Sequence, residues 1–216
     1  MVDQPMVTVR GEALREVPPE QAVFSVTVSA RDKNRETALT RLTQRSAELR
    51  SALDDYPGAI ERRETGGVQI YPDVKRGSEK VTAYTASATT TVTVTDFGAL
   101  GEILLRLGNQ DQTSLSGPWW RLAPGSRAGA EVRQAAIADA LARAREYAEA
   151  VGSRVDRLVE IQDEGAGGAQ PMMRAMSFKG EAAADALELE LDPQLQTVQA
   201  SVIVRVTITE PDLPEG

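Results

Sequence analysis

The chain contains no cysteine and no histidine. The first absence removes disulfides, thiolate nucleophiles, iron–sulfur clusters and Cys-ligated zinc. The second removes His-dependent triads, imidazole metal ligands and the side chain that titrates near neutral pH. Together they close off most common hydrolase and metalloenzyme chemistry. Aromatic residues make up only 4% of the chain, so a core has to be assembled from Val, Leu, Ile and Ala. No uninterrupted apolar run approaches the roughly 20 residues of a membrane span. Met1–Pro19 carries Asp3, Arg10, Glu12, Arg15 and Glu16 where a signal peptide needs a basic and then an apolar stretch. The expectation is a soluble cytoplasmic protein without a transmembrane segment, or a periplasmic or extracellular one if an export signal has been removed. Basic stripes are missing too: the net charge is -8, and no nucleic-acid partner is expected, because phosphate binding needs clustered cations. The pairs Arg62-Arg63 and Lys75-Arg76 sit among acids and read as solvated faces.

What is present is strong strand and helix patterning. Met6–Val17 alternates weakly and reads as a strand, and Pro18-Pro19 as a turn. Ala22–Ala30 reads as a second strand with Phe24, Val26 and Val28 on one face. Asp32 or Asn34 can cap a helix to about Asp54, with Leu39, Leu42, Leu49 and Leu53 on one stripe. Val68–Val74 is a short strand, Lys75–Ser78 a hairpin loop, and Lys80–Thr95 a long return strand rich in Thr and Val, whose branched side chains suit a pleated surface. Asp96 fits the N-cap of a short helix with Phe97, Leu100, Ile103, Leu104 and Leu107 on one face. Thr113–Ala123 is a strand interrupted at Gly117-Pro118, which marks an edge or a bulge. Ser126–Val151 is an Ala-rich helix whose small residues permit close approach to a neighbour. Arg154–Gln162 and Gln196–Thr209 are the last two strands.

The order is β-β-α, β-β-α, β-α-β-β. Hairpins alternating with helices predict an α+β fold, with a largely antiparallel sheet and helices packed on one face. The reading is one domain over 1–216, with a flexible insertion at 163–193 and a frayed tail at 210–216.

Several segments stand in a distinctive order and spacing: Val7-Thr8-Val9-Arg10-Gly11-Glu12-Ala13, Val17-Pro18-Pro19-Glu20-Gln21-Ala22, and Tyr84-Thr85-Ala86-Ser87 ahead of Thr91–Asp96. The helix Ala135–Gly152, the strand Arg154–Ile161 and the last strand Gln199–Thr207 continue the series. In these segments the chain resembles the SIMPL domain family, a domain of unknown function. The resemblance spans about Val7 to Thr209. The resemblance implies a mixed α/β domain of bacterial proteins, many of them exported or periplasmic. It also implies that some members assemble into ring-like or channel-like oligomers and that some are linked to oxidative stress. The family has no established catalytic residues, so none is carried over. Two departures are the missing export signal and Glu20, where an Asp is common.

No Walker A, dinucleotide-binding or nucleophile-elbow pattern occurs. No catalytic, cofactor-binding or metal-binding residue is singled out, and no cofactor is expected. The unusual features are candidate interface residues. Trp119 and Trp120 are adjacent, so in a strand they face opposite sides: one suits the core, the other an exposed or interface position, with ligand stacking a further alternative. Met172 and Met173, near Met176, form either an adaptable surface or an incidental part of a disordered loop. Leu187, Leu189 and Leu191 alternate with Glu188, Glu190 and Asp192, as on an amphipathic edge strand that pairs with another subunit. These acids, with Glu181 and Asp185, lack the spacing of a calcium loop and read as a solvated segment. The functional expectation is a non-enzymatic, homo-oligomeric protein acting by self-assembly or partner binding, with a stress-related role in view. The alternative is a small-molecule binding module or carboxylate-dependent enzyme with a pocket near Trp119-Trp120.

Overall fold

A computed structural model describes residues 4–75, 77, 80–165 and 189–212. Its elements run β1 (Met6–Val17), β2 (Gln21–Asp32), α1 (Arg35–Asp54), β3 (Ile60–Val74), β4 (Val81–Val94), α2 (Phe97–Gly108), β5 (Thr113–Arg121), α3 (Ala128–Ala150), β6 (Val155–Asp163) and β7 (Gln196–Ile208). Every strand pair is antiparallel. The protein is therefore α+β, with the element order read from the sequence. The strands are shared between two sheets, β1-β7-β6 and β3-β4-β2-β5. Two compact units contain them: the first holds β1, α3, β6 and β7, the second β2 through β5 with α1, α2 and residues 189–194.

In the first unit the outermost strands of the chain are partners. β1 and β7 pair without a break from Met6 opposite Thr207 to Val17 opposite Gln196. Along β7 the even positions Val198, Ala200, Val202, Val204 and Val206 are buried, as period-two alternation requires of a strand covered on one face. The cover is α3, which lies across β1 and β7 and meets β6 only marginally. Its buried line is Val132, Ala136, Ala140, Ala144 and Ala148. Alanines at this spacing hold the helix close to the sheet, and Gly11 on β1 is where they come closest. A Cβ at Gly11 would lie 2.2 Å from the Ala136 carbonyl oxygen and 2.5 Å from the Ala140 nitrogen. The opposite face of the sheet is laced with charge: Arg10 pairs with Glu12 at 2.8 Å and Glu164 at 3.0 Å, and Arg205 with Glu160 at 3.1 Å.

In the second unit β2 and β4 form the centre of the sheet. Ala22, Phe24, Val26, Val28 and Ala30 point inward from β2 and meet Ala86, Ala88, Val92 and Val94 from β4 beneath the two helices. Asn34 caps α1, its side chain accepting the Glu36 and Thr37 amides, and Asp96 caps α2 through the Gly98 amide. Leu42, Leu49 and Leu53 are buried as expected, whereas Leu39 is 38% exposed and Ala38 fills its place in the core. The 3.6-residue period allows either neighbour to face inward, and the smaller one does. β3 begins at Ile60, well before the expected Val68, and carries register shifts around Arg62 and Gly66. It is an edge strand that is exposed along most of its length, so its charged first half needs no buried face.

Replacing Gly11 by Ala is expected to force α3 off β1, because the nearest atoms are backbone and cannot rotate away. The cost should be about 1–3 kcal/mol or more. Urea unfolding of the variant against the parent measures it, and an unchanged midpoint would show that the close approach carries no weight.

Candidate functional site

Three exposed large apolar residues of the first unit are consecutive or nearly so on β6, while Met6, Leu14, Tyr147 and Leu195 are exposed elsewhere in it. Leu158 and Ile161 lie opposite Val206 and Val204, so they belong to the helix-covered face of the sheet. The covering helix stops short of them, and they remain 47% and 44% exposed, with Val159 beside them at 46%. β6 is an edge strand, and among the described residues no strand pairs with its outer side. Register shifts between Val155 and Arg157 and between Leu158 and Glu160 interrupt its ladder. Bulges of this kind disfavour simple strand addition. What β6 offers a partner is therefore a side-chain shelf beyond α3. No signal in the sequence singled out this strand, because its hydrophobic residues match those of an ordinary buried strand.

The tryptophan pair divides as adjacent strand residues must. Trp120 packs on the core of the second unit and meets the Phe97 ring edge-on, with centroids 4.9 Å apart and planes at 80°. Trp119, on the opposite face of β5, is 48% exposed. Neither lines the clefts beside α1, α2 or β1. The end of this sheet is held by polar contacts: Arg121 donates to Gln21 Oε1 at 2.8 Å and to Thr93 Oγ1 at 3.3 Å, and Gln21 donates to Glu61. Glu20 accepts the Ala123 amide at 2.8 Å.

Leu189 and Leu191 are found on α2. Both are partly buried against the core of the second unit, and residues 189–195 have no regular secondary structure. The expected amphipathic edge strand is here an irregular strap lying over a helix. Leu187, Met172 and Met173 lie outside the described residues. So do Glu181, Asp185 and Glu188 of the acidic segment, and among the described residues no group of acids is placed to hold a metal ion.

The groups with shifted protonation are surface clamps. Arg31 donates to Asp73 at 2.6 Å and Thr85 to the same oxygen at 3.0 Å. These two hydrogen bonds, Arg31 first, hold the Asp73 carboxyl below its ordinary 3.8, helped by the Arg31 charge and opposed by slight burial. Arg106 is held more firmly protonated by its hydrogen bonds to Tyr56 and Asp55, and its guanidinium lies 5.5 Å from the Tyr56 ring centre. Each shift favours the charged form, as an ion pair does, whereas a poised proton donor or acceptor is shifted towards the working pH. A cleft of about 800 Å³ at this end of the sheet is lined by Arg31, Lys33, Arg41 and Arg45. Three of these cations are already engaged, Arg31 with Asp73 at 2.6 Å, Arg41 with Asp32 at 3.0 Å and Arg45 with the Ser29 carbonyl.

Because the folded-state pKa of Asp73 is depressed, its contribution is complete above the unfolded-state value and is lost as pH falls through the lower folded value. Asp73→Asn should therefore lower the melting temperature at pH 6, and the gap should close as the pH falls below the ordinary carboxylate range. Melting curves across that range test it, and a gap that stays constant with pH would refute the assignment.

With this geometry in view, comparison with known proteins is informative. The family model described as SIMPL, protein of unknown function (DUF541), matches residues 7–206, from the start of β1 into β7. The 26 kDa periplasmic immunogenic protein of Brucella melitensis is 29% identical over 187 residues, covering 76% of this chain and 68% of its own length. The protein of the same description from Brucella abortus strain S19 is similar to the same extent. No helix among the described residues is long and apolar enough to cross a membrane. With nearly all of its length matched, the chain belongs to the SIMPL family of proteins of unknown function.

Proposed function

We propose that this SIMPL protein acts without catalysis, by associating with copies of itself. The shelf on β6 is the observation that carries the reading. Leu158 and Ile161 continue a covered sheet face past the edge of its covering helix. Two large aliphatic side chains nearly half exposed on one face, with Val159 at the adjoining edge, resemble the centre of an interface more than an ordinary solvated edge, which is usually guarded by charge. A second copy is the natural occupant, because a two-fold axis beside β6 would lay each shelf on the other and bury both at once. The bulges in β6 favour side-chain packing over extension of the hydrogen-bonded ladder. The reading places the protein in the compartment named for its Brucella relatives, the periplasm. An exported chain without cysteine needs no disulfide chemistry to fold there.

Light scattering coupled to size exclusion should give a mass above the 23.2 kDa of one chain. Leu158→Lys combined with Ile161→Lys should reduce that mass while leaving the circular dichroism spectrum unchanged. A parent protein that stays monomeric at high concentration would overturn the proposal.

A further inference from the structure

Helix α2 carries a groove that is already filled by a peptide, and the peptide is part of this chain. Leu189 and Leu191 rest on the core beside Phe97. Between them and the helix lies Gly101, itself buried, where a Cβ would come within 2.3 Å of the Leu189 carbonyl oxygen. Gly98 stands one turn earlier on the same helix and faces the same cleft of about 750 Å³, together with Leu105 and Arg106. Backbone is thus packed on backbone at Gly101, leucines flank it, and Glu190 and Asp192 line the cleft with Arg106, whose guanidinium is held by Asp55. Paired apolar anchors at i and i+2, with acids at i+1 and i+3, are a recognition pattern for an extended peptide.

We infer that this groove is an exchange site: it accepts the Leu189–Asp192 strap of a second copy in place of its own. The inference rests on the self-association reading above and names a second contact for it. The seated occupant is this chain's own sequence, so every copy carries a ligand of the right chemistry. On one side the strap follows β6 in the chain, with residues 166–188 lying outside the described ones. On the other side only Pro193–Leu195 separate it from β7. Exchange of an identical element adds no new kind of contact and so costs little beyond association itself. The strap in cis competes at an effective concentration in the millimolar range, as expected for a short tether, so exchange is best read when one copy lacks a strap and the other lacks a groove.

The test uses two full-length variants, both also carrying Leu158→Lys and Ile161→Lys so that the β6 shelf does not contribute. Leu189→Asp with Leu191→Asp leaves an open groove without a usable strap. Gly101→Ala fills the groove and frees the strap. Native mass spectrometry of each alone should give monomer, and of the mixture a one-to-one complex. A fluorescent peptide of residues 186–194 should bind the open-groove variant saturably, and about tenfold or more weakly once Gly101→Ala is added, as one blocked close contact implies. Peptide binding without a mixed complex would overturn exchange between copies, and no peptide binding would overturn the groove itself. If the open-groove variant fails to fold, hydrogen exchange of the parent decides: excess peptide should raise exchange at residues 189–192, and no rise would refute the proposal. A mixed complex alongside a parent unaffected by the β6 substitutions would uphold the exchange site and reject the shelf, so the two readings fail separately.

Discussion

The structure depends on bringing backbones close together. With three Phe, two Trp and four Tyr in 216 residues, there is little bulk to fill wide spaces between layers. Small side chains must narrow those spaces. The alanine line of α3 settles on Gly11 of β1, and the strap settles on Gly101 of α2. At each position a single added methyl group would collide with main chain. Dense packing of this kind gains dispersion from many short contacts, and it gives the core little tolerance for enlargement at those two points.

Much of the fold could be read in advance because it is written in local patterns. Alternation located β2 and β7, the acidic and amide caps at Asp96 and Asn34 located the starts of α2 and α1, and Gly117-Pro118 marked β5 as an edge. Long-range choices left no such trace. That Met6–Val17 would pair with Gln196–Ile208 is decided by which exposed strand edge is free when the sheet closes, and no local period encodes it. The division into two sheets follows from that choice. The first half of β3 escaped notice because Glu61–Glu64 is charged throughout, and an edge strand can be held by backbone hydrogen bonds alone.

The candidate surfaces were legible only in part. Adjacency alone foretold that Trp119 and Trp120 would face opposite ways, while which of them turns inward is settled by Phe97. The alternating Leu189-Glu190-Leu191-Asp192 places its leucines half-buried and its acids outward, an arrangement that any extended segment satisfies, strand or strap. The missing clue was the partner: two glycines, Gly98 and Gly101, one turn apart in a short helix, an expensive placement for helix propensity. The β6 shelf was invisible for a different reason. Leu158 and Ile161 look like core residues, and only the limited reach of α3 leaves them in the open.

The pairing of β1 with β7 has a consequence for how the protein is made. Among the described elements β1 is made before every other strand and β7 after all of them, so β1 waits for its partner until the other elements have been made. The strands and helices of the second unit, running from β2 to β5, are all present long before that. Synthesis thus imposes an order that the finished fold does not display, with the strands and helices from β2 to β5 able to pair early while β1 waits as an unpaired strand. A contact between such distant points in sequence is slow to form, and in that interval β1 is the segment most in need of protection from other chains.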